Sequence, residues 1–111
     1  MYGYPEDDRL LDRCTTGNGT TVKLYINEAG GPAVGVSYSV TTERKPGLAE
    51  RQVMYSDYQP ELLSVTCIND GFDLRTSIGT MRFNDHETDA LHAAPRNLGE
   101  EYRRSRESSP R

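Results

Sequence analysis

Apolar and polar residues alternate one for one along a series of short segments in this chain, and Gly, Asn, Asp or Pro separates each segment from the next. Period two places successive side chains on opposite faces of an extended strand, so each segment can present one dry and one wet face. Such punctuation is the signature of an antiparallel β domain. The clearest segment is 33–41, where Val34, Val36, Tyr38 and Val40 alternate with Gly35, Ser37, Ser39 and Thr41. At 20–26, Val22, Leu24 and Ile26 share a face from which Lys23 points away. Residues 61–69 and 72–78 read as a hairpin, with Leu63, Val65 and Cys67 on one arm and Phe72, Leu74, Thr76 and Ile78 on the other. Asn69-Asp70-Gly71 joins the arms, with Asp-Gly at the centre of a tight turn. Shorter strands are expected at 10–16, ended by Gly17-Asn18-Gly19, and at 80–83.

The stretch 48–58 supports two assignments. Arg51-Gln52-Val53-Met54-Tyr55 reads as a strand, whereas Leu48, Arg51, Tyr55 and Tyr58 also lie at helical spacing. The strand is the preferred reading. A short helix is expected near 85–93: Asn84 can cap its first turn, Glu87 can reach back in a variant of the capping box, and Pro95 closes the run. The expected fold is a small antiparallel β-sandwich or open barrel, a meander of six or seven strands with one short C-terminal helix. An α+β domain with a helix at 48–58 is the alternative. The expected core comprises Val22, Leu24, Ile26, Val34, Val36, Tyr38, Val40, Val53, Leu63, Val65, Cys67, Phe72, Leu74, Ile78, Met81 and Phe83.

At 111 residues and 34% hydrophobic content, the chain suits one domain with a modest core. The expected organisation is a flexible N-terminus over 1–9, one β-rich domain over 10–94, and a disordered Arg-rich tail over 95–111. The tail contains Leu98 and Tyr102 as its only sizeable apolar groups, too few to offset the entropy of ordering it. Through Ala94 there are eight Lys and Arg against fourteen Asp and Glu, and from Pro95 on five Arg against three Glu. An acidic domain of this kind is a poor match for nucleic acid or an anionic membrane surface. No stretch approaches the roughly 20 apolar residues of a membrane-spanning helix.

Cys14 and Cys67 are the only cysteines. Either they form a disulfide closing a loop of about 50 residues, or they are two buried thiols behaving as small hydrophobes. Reduced cysteines would fit the cytoplasm. A bridge would fit the periplasm or a secreted protein whose leader has been removed. His86, Asp89 and His92 are weak metal candidates, because His86 and His92, six apart, fall on different faces of a helix. Tyr55, Asp57, Tyr58 and Glu61 form a polar, tyrosine-bearing run between strands, a composition found at protein interfaces.

Neither Gly17-Asn18-Gly19 nor Gly30-Gly31-Pro32 has the Lys-Ser/Thr ending of a phosphate loop, and there is no Gly-x-Ser-x-Gly elbow. No nucleophile, base and orienting group can be placed together, so neither an enzyme nor a cofactor is expected. The Cys-bearing strands within a meander resemble small bacterial inhibitor and immunity domains in general outline, and no site residue follows from that likeness. The expectation is a small acidic protein-binding module of inhibitor, immunity or adaptor type, either monomer or homodimer, with a protein partner. A small-ligand or metal-binding β-domain is the alternative.

Overall fold

Strand-forming alternation survives into three dimensions. The computed structural model describes residues 8–28, 36–44, 49–57 and 59–107. Its elements in chain order are β1 (Asp8–Thr15), β2 (Thr21–Asn27), β3 (Ser37–Glu43), β4 (Arg51–Ser56), β5 (Leu62–Cys67), β6 (Gly71–Thr76), β7 (Gly79–Asn84), α1 (Asp85–Ala93), β8 (Arg96–Asn97) and α2 (Leu98–Glu107). The first sheet has the order β1-β2-β3-β4-β8, the second β5-β6-β7. All pairings are antiparallel except that of β8 with β4. The fold is therefore mainly β, in two sheets that do not close into a barrel. The strand reading of 48–58 holds where it is described: 51–56 is strand β4 between β3 and β8, not helix.

One core joins both sheets. Val22, Leu24, Ile26, Tyr38, Val40, Val53 and Met54 from the first meet Leu62, Val65, Phe72, Leu74 and Phe83 from the second. In β2 and β3 the expected alternation holds throughout, and Leu24 pairs with Val40 and Ile26 with Tyr38. Elsewhere bulges break it. The β3–β4 register shifts between Val40 and Thr41, which lets consecutive residues Val53 and Met54 both be fully buried. The β5–β6 register shifts between Leu62 and Ser64, so Leu62 is buried while Leu63 is 42% exposed.

The placement of Leu63 in the core is thus corrected: one extra residue reverses which side of the strand faces inward. Ile78 is also corrected. It occupies the two-residue turn between paired Thr76 and Gly79 and is 57% exposed. Gly79 has φ +135, a conformation that suits glycine, and the Thr76 hydroxyl ties the turn by accepting from Ile78 N–H and donating to Gly79 C=O. Val36, Cys67 and Met81 pack partly buried against the core, and Val34 lies outside the described residues.

The two sheets meet where β1 runs beside β5. Asp12 Oδ2 accepts from Val65 N–H at 3.0 Å, and two residues further along each strand Cys14 and Cys67 sit at disulfide distance, with Cα atoms 5.6 Å apart. At the end of the seam the turns dock, Gly17 N–H donating to Ile68 C=O and Asn18 N–H to Asn69 C=O.

Helix α1 starts as expected. Asn84 Oδ1 accepts from Glu87 N–H at 2.8 Å, and Glu87 Oε1 accepts from Asn84 N–H at 2.9 Å. Residues 96–107 differ from the expected disordered tail. Arg96 and Asn97 add to β4, and α2 then runs to Glu107 with Leu98 only 3% exposed. Asn97 Oδ1 accepts from Glu100 N–H at 3.0 Å, Glu100 pairs with Arg104 one turn on, and acidic residues lead the helix while basic ones end it. Capping, dipole complementarity and burial of Leu98 against the core together outweigh the low apolar content that argued for disorder. Residues 108–111 lie outside the described residues. At the other end, β1 begins at Asp8, within the stretch expected to be flexible.

Candidate functional site

Helix α2 packs against β4. Its stripe Leu98, Glu101, Tyr102 and Ser105, spaced i, i+3, i+4 and i+7, forms one wall of an open groove of about 400 Å³. Pro60, Ile78 and Met81 form the other wall. Buried Gly99 makes this placement feasible, because a Cβ there would lie 3.0 Å from the backbone nitrogen of Asp57. The lining is mainly apolar, and the size falls in the range of pockets that hold a ligand or a partner's side chain. Ile78 stands exposed at its edge.

The charges around the groove are of two kinds. Glu101 is engaged: it takes Arg96 through two hydrogen bonds, of 2.7 and 3.0 Å, while the Arg96 guanidinium lies 5.5 Å from the centre of the Phe83 ring. The Arg96 bonds hold the Glu101 carboxyl below its ordinary range. Asp57 and Glu61, by contrast, are exposed, and their carboxylates have neither an ion pair nor a hydrogen bond among the described residues. Glu61 is held beside the Ile78 turn by its backbone, which accepts from Ser77 N–H and donates to Ser77 Oγ. Burial, and next to it the Glu61 charge, push the Tyr38 hydroxyl above its usual pKa.

Three of the four residues proposed from sequence for partner contact are thus positioned. Tyr55, half-buried at the end of β4, pairs with Asn97 of β8; Asp57 and Glu61 lie on either side of groove-lining Pro60 along the chain. Tyr58 lies outside the described residues. Sequence reasoning did not find the wall formed by α2. The signal was present: Asn97-Leu98-Gly99-Glu100 repeats the Asn-x-x-Glu spacing that marked α1 at Asn84 and Glu87.

The metal candidates do not converge. Asp89 binds Arg44 through both carboxylate oxygens, at 2.6 and 2.7 Å, and His92 Nε2 lies 2.6 Å from the hydroxyl of buried Thr42. His86 is exposed. Among the described residues no group of three or more His, Cys, Asp or Glu gathers as ligands.

A second polar cluster covers the outer face of the five-stranded sheet. Glu50 accepts from Thr41 at 2.7 Å, Tyr25 at 2.8 Å and Lys23 at 3.4 Å. Burial works to raise this carboxyl, and the hydrogen bonds with the Lys23 charge outweigh it, leaving the group below its ordinary pKa. The cluster satisfies itself and ties β2 and β3 to the residue that precedes β4, whereas the groove leaves apolar surface open and the Asp57 and Glu61 carboxylates have no partner among the described residues.

Comparison with family models, curated proteins and solved structures finds no match to this chain.

Proposed function

We propose that this chain is a small acidic protein-binding module, of the inhibitor, immunity or adaptor kind, that works by surface contact through the groove between α2 and the β6–β7 turn. The supporting observation is the conjunction of an open apolar groove, exposed Ile78 and the carboxylates of Asp57 and Glu61, which have no partner among the described residues. Buried apolar surface supplies the driving force of most protein association, and unpaired rim charges steer and select the partner. The matching partner presents an apolar side chain beside Lys or Arg.

Selection from a displayed library of random peptides tests this reading directly. Enriched peptides are expected to carry an apolar residue next to a basic one. Their binding should be lost in Ile78→Asp, and should weaken with a shallower salt dependence in Glu61→Lys. Enrichment of no peptide, or binding indifferent to both substitutions, would sink the reading. The groove's size also suits a small apolar ligand. A thermal-shift screen of such compounds examines that alternative, since a ligand of the folded state raises its stability.

A further inference from the structure

A sheet edge exposes backbone donors and acceptors that invite another strand, and natural proteins blunt such edges. The described strands leave four sheet edges, and three are blunted. β1 is bulged between Leu10 and Asp12, β5 is bulged between Leu62 and Ser64, and these two edges adjoin along the disulfide seam. β8 is only two residues long. The fourth edge, β7, is different. It runs six residues in unbroken register with β6, without Pro, Lys or a bulge, and its one charge, Arg82, is paired across the ladder with Asp73.

The direction of its backbone groups follows from the ladder. Asp85 N–H donates to Asp70 C=O, which marks that position as a hydrogen-bonded pair. Alternation then makes Phe83, Met81 and Gly79 the residues bonded to β6, and turns the N–H and C=O of Thr80 and Arg82 away from it. Asn84 N–H, the next in that series, is already taken by Glu87. No described strand lies on the outer side of β7. Between Thr80 and Arg82 sits Met81, whose side chain lines the groove.

We propose that the partner binds as an extended segment added to the outer edge of β7. Its backbone pairs with Thr80 and Arg82, and the side chain opposite Met81 enters the groove. Met81 occupies a non-hydrogen-bonded position of the new ladder, where facing side chains approach most closely. Main-chain bonds supply register, the groove selects an apolar side chain, and Asp57 and Glu61 select basic neighbours. This inference deepens the binding-module reading and rests on it.

The test measures amide hydrogen exchange by NMR on the full chain, with and without a peptide enriched in the selection above. The Thr80 and Arg82 amides are expected to exchange freely alone and to slow at least about tenfold on saturation. A second measurement compares two variants. Arg82→Ala keeps the N–H and should bind the peptide nearly as the parent does. Arg82→Pro removes a donor that β6 does not use, and should weaken binding about tenfold while the thermal transition shows the fold retained. Peptide binding that leaves both amides unprotected would overturn strand addition while leaving the groove reading intact. Failure of every peptide to bind would remove both. Protection that appears with rising protein concentration alone would make a second copy of this chain the occupant and overturn the proposal.

Discussion

At the scale of single residues, buried polar side chains show how narrowly this small core is tuned. Thr42, only 1% exposed on β3, shares a short hydrogen bond with His92 of α1, and so joins helix to sheet. Burial lowers the His92 pKa below its ordinary 6.5; Arg51 and Arg44 add to this and Asp89 opposes it. The unfolded chain therefore takes up the proton first. Stability is complete above about pH 6.5 and falls as pH drops from there towards the folded-state value. Urea unfolding of the parent should show that decline beginning near pH 6.5. In His92→Gln the decline should be missing until the carboxylates titrate. A parent curve flat between pH 7.5 and 5 would show that His92 has the same proton affinity folded and unfolded.

At the scale of elements, both helices start on an Asn that accepts from the N–H three residues on, but only α1 has the reciprocal Glu bond, and their sequence signals differ widely. α1 was legible because Asn84, Glu87 and Pro95 bracket it. α2 was not, because its interior offers only Tyr102 after Leu98, and its stability comes from elements distant in sequence. Asn97→Ala should cost about 1 kcal/mol, the usual worth of an N-cap, and Asn97→Asp should restore it. Because α2 is one wall of the groove, Asn97→Ala should also weaken peptide binding. Helical circular dichroism and a binding titration on the same samples check both effects. Strand parity has a similar lesson. Leu63 and Ile78 were assigned inward by alternation, but a bulge and a turn put both in solvent. The exposed Ile78 then became part of the candidate site rather than of the core.

At the scale of the whole molecule, two sheets of five and three strands are held together along the β1–β5 seam. Cross-linking residues 53 apart restricts the unfolded chain, and the loop-entropy model puts the gain at about 4 kcal/mol, a large share of a small domain's stability. Cys14→Ser combined with Cys67→Ser should lower the urea midpoint accordingly while the far-ultraviolet strand signal persists below the transition. An unchanged midpoint would mean that the Asp12–Val65 bond and the docked turns hold the seam without the sulfurs.

What the sequence determined by itself was whatever neighbours along the chain decide: the strands with undisturbed alternation, the turns between them, the capped helix α1 and the polar, tyrosine-bearing run around Asp57 and Glu61. Period two says which residues share a face, but it cannot say which face is inward once a bulge adds a residue. That depends on the register with a partner strand. The pairing of Cys14 with Cys67, the joint burial of Val53 and Met54, the parallel addition of β8, and the groove between α2 and the Ile78 turn all depend on contacts between distant segments. Tertiary structure alone decided them, because burial and hydrogen bonding are properties of the packed neighbours and not of the local chain.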